Sequence, residues 1–306
     1  MMMRNEFPPE VSASSINICG DTPLSLPAKF KWVQKCYKNN QAPYRDVDPR
    51  IKFVNFGGTE KIFDDWGEGS GELPVSPARF VSNAFWSWID FSGLHGDGQI
   101  NALEVGCGTG IYGQILKQKL SSRLSLYRGI DIVEHEEWKL LTNSGNFEFD
   151  VARAENIGPY LNDVNLLITQ SAIEHFESDL EFFRQVSEYA NTVQEKFWQI
   201  HLLPCAECLR TFLWHGYRQY TPSTLSKITR LFPDDAEFLL YRLGGDHLNN
   251  VHFKYITLPS LFLRRDLRGA LEKKYLEEAR SAAQEDHRRL ERKDASFYAL
   301  VIKTGS

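Results

Sequence analysis

The run Asn101-Ala-Leu-Glu-Val-Gly-Cys-Gly-Thr-Gly110 constrains the fold of this chain more than any other stretch. An apolar segment (Ile100, Ala102, Leu103, Val105) leads into glycines at 106, 108 and 110, and Ile111, Ile115, Leu116 and Leu120 follow at helical spacing. The pattern predicts strand, glycine turn and helix. Glycines at alternate positions suit a sharp turn through backbone angles that a β-carbon disfavours, and they leave the main chain bare for a ligand to lie against. The turn is a ligand cradle.

The spacing then separates two kinds of ligand. A dinucleotide fingerprint places its third glycine three residues after the second, so that a pyrophosphate meets the helix N-terminus; here that position is Ile111. With Glu104 two residues ahead of the first glycine, Leu103-Glu-Val-Gly-Cys-Gly-Thr-Gly110 resembles motif I of the class I S-adenosylmethionine-dependent methyltransferases. The resemblance implies a doubly wound α/β fold, with a seven-stranded, mostly parallel sheet whose last strand is antiparallel. It also implies S-adenosylmethionine as cofactor and S-adenosylhomocysteine as product, with Glu104, Gly106, Cys107, Gly108 and Gly110 at the cofactor.

Composition bounds the remainder. At 306 residues, with 42% hydrophobic and 13% aromatic content, the chain can bury a large core and suits one large α/β domain with additions. A net charge of −5 offers no general attraction for phosphate backbones, which argues against nucleic acid as partner. No uncharged apolar run approaches membrane-spanning length and the start of the chain lacks a secretory apolar core, so a cytoplasmic location is expected. The five cysteines (Cys19, Cys36, Cys107, Cys205, Cys208) are odd in number and scattered, against a disulfide framework. Cys205-x-x-Cys208 is half of a zinc pattern without a second half, and no spacing of acids and histidines predicts a metal.

Residues 1–95 read as an N-terminal extension or cap, and 96–306 as the cofactor-binding domain with insertions at about 204–220 and 244–294. The extension is polar up to Pro27, with a short helix over 28–37 and an aromatic, glycine-rich stretch over 51–66. A helix over 78–91 carries Phe80, Val81, Ala84, Phe85, Trp88 and Ile89 at helical spacing; these side chains belong to the core or line a pocket. Residues 125–132 predict a second strand ending in Asp131 and Ile132. An acid there can accept hydrogen bonds from both hydroxyls of a ribose, and a helix cap is its other use. Residues 147–152 predict the third strand, and 165–170 the fourth, apolar as a strand covered on both faces should be. The resemblance implies Asp150 and Val151 at the adenine. Gln170 ends the fourth strand, and the following Ser171-Ala-Ile-Glu-His175 is similar to the family's motif after that strand. Open parallel sheets bind ligands beyond the carboxyl ends of their strands, where all these positions fall.

Further strands are expected over 196–203, 237–243 and 296–304, with helices over 178–190 and 221–232, the latter with Thr221 as N-cap and Pro222 at the first helical position. The inserted charged helix, about 265–292, carries a thin stripe (Leu267, Leu271, Tyr275, Ala279) suited to packing on the body or on a second copy as a homo-oligomer.

The chemistry is less defined. Transfer from a sulfonium is an in-line displacement, and a hydroxyl acceptor needs its proton removed. His175, His201 and His215 are the candidate bases. The chain lacks the Asn/Asp-Pro-Pro-aromatic run of amino-methylating DNA enzymes, having Gln170-Ser-Ala-Ile instead, and Pro204-Cys205 lacks the flanking residues of a cytosine carbon-5 nucleophile. The expected activity is methylation of a small or medium acceptor, a hydroxyl of a sugar, glycan end or secondary metabolite. The alternatives are a non-catalytic scaffold or activator that keeps the cofactor fold, and a protein or RNA methyltransferase.

Overall fold

The computed structural model describes residues 13, 25–55, 57, 60–63, 73–94, 98–212, 217–289 and 294–305. The extension contributes α1 (Leu26–Asn40), β1 (Ile51–Asn55) and α2 (Pro77–Trp88). Ser76 caps α2 by accepting the Arg79 N–H, and Pro77 occupies the first helical position, where its missing N–H costs nothing. The body follows as β2 (Ile100–Val105), α3 (Ile111–Leu120), β3 (Leu124–Asp131), α4 (Glu137–Thr142), β4 (Phe147–Val151), β5 (Leu166–Gln170), α5 (Asp179–Thr192), β6 (Phe197–Pro204) and α6 (Pro222–Thr229). The last part is β7 (Glu237–Leu243), α7 (Asp246–His252), α8 (Leu258–Leu263), α9 (Glu272–Arg288) and β8 (Phe297–Thr304).

The strands form one sheet in the order β1-β7-β8-β6-β5-β2-β3-β4. Only the two ladders of β8, against β6 and β7, are antiparallel. The doubly wound arrangement and the antiparallel last strand therefore match the expectation from sequence, but the sheet has eight strands where seven were expected. The extra strand is β1, paired in parallel with β7 (Ile51 opposite Phe238), so the extension adds an edge to the sheet instead of lying wholly outside it. From β2 the chain runs outward to β3 and β4, then returns to β5 on the other side of β2. That reversal opens a crevice at the carboxyl end of β2.

Helices cover both faces. One layer packs Phe80, Val81, Ala84 and Phe85 of α2 and Leu116 of α3 on Ile100, Ala102, Ile168, Ile200 and Leu243; these α2 side chains are core, not pocket lining. The other packs Phe182, Phe183 and Val186 of α5 and Leu225 and Ile228 of α6 on Leu103, Leu167, Leu203 and Leu240. The inserted charged helix is shorter than its pattern, beginning at Glu272. It packs on the chain's own body: Tyr275, Ala279, Ala282 and Ala283 are buried in the first layer, and the Tyr275 hydroxyl donates to the Val75 carbonyl at 2.5 Å. Leu271, one of the predicted stripe, is 44% exposed. No described helix is long and apolar enough to cross a membrane.

Candidate active site

The glycine turn sits at the crevice. The Gly106 and Cys107 N–H groups both donate to the Ile130 carbonyl, which ties the loop to the end of β3. Gly106 lies against the chain after β5, where a β-carbon would come within 2.5 Å of the Ala172 β-carbon. Gly108 has the opposite surroundings: its φ is +49°, and a β-carbon there would meet nothing within 4 Å. Its N–H is held by Asp131 and its carbonyl accepts the Trp138 indole N–H at 2.7 Å, so the turn is fixed with no side chain on its open side.

Beneath the loop, Glu104 is buried, and the Tyr127 hydroxyl donates to its Oε2. Its Oε1 has no partner, and burial pushes the carboxyl up to about 8, with the neighbouring Asp131 adding to the rise. Cys107 is 4% exposed, and the same loss of solvent raises its thiol far above the usual range, against a nucleophilic role.

Asp131 ends β3 beside the loop. Its Oδ2 accepts the Gly108 N–H at 2.8 Å and its Oδ1 accepts the Ile132 N–H at 2.7 Å. A carboxylate has about four acceptor sites, so these two bonds fix its orientation and leave capacity for a pair of ligand hydroxyls. Asp131, Ile132, Val105 and Gly106 form one wall of a cleft of about 500 Å³; Ser171, Ala172, His175 and Tyr217 form another. The volume lies within the usual range for small-molecule sites.

Asp150 does not line this cleft. Its Oδ1 accepts the Val151 N–H, and the Tyr160 hydroxyl donates to its Oδ2 at 2.6 Å. Val151 and Tyr160 border an adjoining shallow groove together with Ile132, which also lines the cleft. Gln170 likewise stands behind the wall: its Oε1 accepts the Trp86 indole N–H at 2.9 Å and its Nε2 donates to the Ser171 hydroxyl at 3.1 Å. Ser171 is the residue that reaches the cavity, and it does so with φ +52°, a left-handed conformation uncommon for serine and typical of functional turns.

The three histidines part company. His175 ends a short 3₁₀ turn after β5, is exposed, and has its ring centroid 4.0 Å from that of Tyr217; both residues line the cleft and a second chamber beside it. His201 points into the layer under α5, edge-on to Phe183 at 4.9 Å, with its ring nitrogens paired to Thr169 and Gln199. Burial pushes it down to about 3, so it stays neutral, and it lines no cavity described. His215 lies outside the described residues.

The second chamber, about 230 Å³, joins the cleft at Ser171, His175 and Tyr217. Arg79 of α2, Glu174, Arg218, Gln219 and Phe297 line it. Glu174, Arg218 and Gln219 were missed at the sequence level because nothing in a sequence marks a polar residue as buried. The nearest signal was Glu174 itself, next to His175 in the motif after β5. Cys205 and Cys208 are buried nearby in sequence, each with its thiol donating to a carbonyl (Ala295 at 2.5 Å, Ser296 at 3.2 Å), and line neither cavity. Among the described residues, one group could supply three metal ligands, Asp246, His247 and Asp286. Asp286 already accepts the His247 and Leu248 N–H groups at the start of α7, and Asp246 pairs with Arg289.

No family model and no curated protein matches the sequence. Solved structures are similar to it in fold. The plantazolicin methyltransferase BamL, in complex with a triazolic desmethylPZN analogue and SAH, superposes with a TM-score of 0.48 at 14% identity, over 76% of this chain and 86% of that one. A putative sarcosine dimethylglycine methyltransferase from Galdieria sulphuraria gives 0.47 at 12% identity, over 74% and 85%. A putative methyltransferase from Haloferax volcanii, solved with its Trm112 activator, gives 0.44 at 10% identity, over 71% and 86%.

Proposed function

We propose that this chain is an S-adenosylmethionine-dependent methyltransferase acting on a hydroxyl of a small or medium acceptor. The observation that carries the reading is the hydrogen bond between the Gly108 N–H and Asp131 at the wall of the cleft. It puts a turn without side chains and an acid with spare acceptor capacity side by side at the carboxyl ends of β2 and β3, as a nucleoside with two free ribose hydroxyls requires. Glu104 and the loop from Gly106 to Gly110 would hold the amino-acid end and Asp131 the ribose. The adjoining groove of Ile132, Val151 and Tyr160 would take the base, with Asp150 joined to it through the Tyr160 hydroxyl.

When bound, S-adenosylmethionine supplies an electrophilic methyl group on a sulfonium. The chain's own tasks are to orient the acceptor's electron pair, keep water out and remove a proton. Ser171, His175 and Tyr217 stand where cleft and chamber meet, so the transfer is assigned to that junction. His175 is the base of the three histidines named from sequence: its imidazole is at the junction and takes the hydroxyl proton as the oxygen gains the methyl group. The extension of residues 1–95 acts as the acceptor-side cover, because Ser76, Ala78 and Arg79 line the chamber.

The experiment is an acceptor screen with methyl-labelled cofactor, run beside a calorimetric titration with S-adenosylhomocysteine. Label transferred to a hydroxyl compound supports the reading. Binding of the product without transfer to any acceptor favours a cofactor-binding scaffold.

A further inference from the structure

One arginine on the wall of the second chamber has no anion to answer it. Arg79, in the first turn of α2, lines the chamber and is half-buried. Its Nη1 donates to the Tyr112 hydroxyl at 2.5 Å, and the guanidinium lies 5.3 Å from the centroid of that ring, which holds it against the start of α3. Nε and Nη2 donate to no described group, yet neither is sealed from solvent. These two N–H groups form the edge of a guanidinium whose parallel donors match the two oxygens of a carboxylate. The inner side of Arg79 is anchored and the outer fork is open.

Elsewhere in the molecule the same edge is filled by a carboxylate of the chain. Arg50 gives Nε and Nη2 to the two oxygens of Asp48 at 3.2 and 2.9 Å, and Arg128 gives the same pair to Glu148 at 3.1 and 2.9 Å. Arg268 places Nε at 2.8 Å and Nη2 at 2.7 Å from Asp266. Arg218, the other cation lining the chamber, is fully buried, donates to the Ile173 and Glu177 carbonyls and lies 3.6 Å from Asp179. Arg79 has no ion pair among the described residues. The carboxyls that feel its charge, Glu104 and Glu174, do not neutralise it: loss of solvent holds both up to about 8, so both keep their protons at pH 7. A half-buried cation without a counter-charge, with its fork open to a chamber, favours an anion there.

We propose that the chamber is a carboxylate subsite, in which the Nε and Nη2 groups of Arg79 take both oxygens of a ligand's carboxylate. One cation matches one such group, and a neutral amide of the same shape leaves the charge unanswered. Ser171 adds a donor where chamber and cleft meet, since its oxygen accepts the Gln170 Nε2 at 3.1 Å and its own proton is left for a ligand. Two ligands of the proposed reaction can carry the group: a hydroxy-acid acceptor seated in the chamber, or the amino-acid end of the cofactor reaching it from the cleft. Naming either ligand rests on the methyltransferase reading; the chemistry of the subsite does not.

The test compares the full chain with Arg79→Met, which removes the charge and keeps the stem, and with Arg79→Lys, which keeps the charge and removes the fork. Benzoate and benzamide are titrated by saturation-transfer NMR with and without S-adenosylhomocysteine. Calorimetry follows S-adenosylhomocysteine and methylthioadenosine, which lacks the amino-acid end. If the acceptor brings the carboxylate, benzoate binds the S-adenosylhomocysteine-loaded parent about tenfold or more tightly than benzamide. That preference disappears in Arg79→Met and partly survives in Arg79→Lys, with S-adenosylhomocysteine affinity unchanged. If the cofactor brings it, S-adenosylhomocysteine displaces benzoate and loses about tenfold or more in Arg79→Met, while methylthioadenosine binds as before. Either pattern supports the subsite and identifies the source. No preference for benzoate together with unchanged S-adenosylhomocysteine affinity in folded Arg79→Met overturns the proposal, and so does a preference that Arg79→Met keeps in full. Should Arg79→Met not fold, the comparison is made with Arg79→Lys, where preference and affinity both unchanged overturn it. An Arg79-dependent preference for benzoate without any binding of S-adenosylhomocysteine sinks the methyltransferase reading and leaves the subsite; S-adenosylhomocysteine binding indifferent to Arg79, with no benzoate preference, sinks the subsite alone.

Discussion

The Asp131 carboxylate, which lines the cleft, accepts a hydrogen bond from the Gly108 main-chain N–H at 2.8 Å, tying the end of β3 to the turn after β2. One contact thus orients both the acid and the glycine loop. Asp131→Ala is expected to weaken S-adenosylhomocysteine binding by at least about tenfold, since it removes the ribose acceptors and frees the loop together. Calorimetry checks it; unchanged affinity in the folded variant would remove Asp131 from the cofactor site.

Two glycines of the same turn separate ligand seat from fold. Alanine at Gly106 would place its β-carbon 2.5 Å from that of Ala172, so Gly106→Ala is expected to lower the melting temperature markedly. Alanine at Gly108 meets open space and costs only the strain of a positive φ, of order 1 kcal/mol, while on the proposed cofactor placement its methyl group would intrude on the ligand. Thermal melts with and without S-adenosylhomocysteine should show a folded Gly108→Ala that the ligand no longer stabilises.

The histidines give a paired test. His175→Ala is expected to slow transfer to a hydroxyl acceptor by about 10²-fold or more with little change in melting temperature, as befits an exposed base. His201→Leu should leave cofactor binding intact and abolish a pH effect. His201 is held neutral down to about 3, whereas an unfolded histidine protonates near 6.5, so the unfolded state binds the extra proton between those values and stability falls as pH drops through them. Denaturant unfolding at pH 7, 5.5 and 4.5 should show a smaller acid loss in His201→Leu than in the parent; parallel losses would contradict the assignment.

Glu104 acts in the opposite direction. Its carboxyl is raised from about 4.5 to about 8, so the folded state keeps a proton that the unfolded state has released, and stability declines as pH rises between those values. Glu104→Gln mimics the protonated form. Its stability relative to the parent should improve from pH 5 to pH 8 by about 1.4 kcal/mol per pH unit at most, measured by denaturant unfolding.

The turn at Gly106–Gly110 and the acid ending β3 were legible because each depends on a local pattern that tertiary context does not rewrite; the antiparallel direction of β8 came from the resemblance alone. β1 was not: Ile51-Lys-Phe-Val-Asn55 buries only Ile51 fully, so an edge strand of five residues shows no alternation to read. The expected stripe of α9 began too early, since Leu271 is half-exposed and lies before the helix, and it stopped too soon, since the buried face continues past Ala279 through Ala282 and Ala283. Least legible was the chamber. Gln219 and Glu174 read as ordinary polar loop residues, and their burial beside Arg79 of α2 is a product of tertiary packing that no local pattern announces.

The most direct measurement is a calorimetric titration of S-adenosylhomocysteine into the intact protein, with NAD as the dinucleotide control and Asp131→Ala and Gly108→Ala beside it. One-site binding of S-adenosylhomocysteine, no heat from NAD, and loss of binding in both folded variants are the predicted results. Absence of binding by both S-adenosylhomocysteine and S-adenosylmethionine to folded protein, or binding that both variants retain in full, would contradict the account.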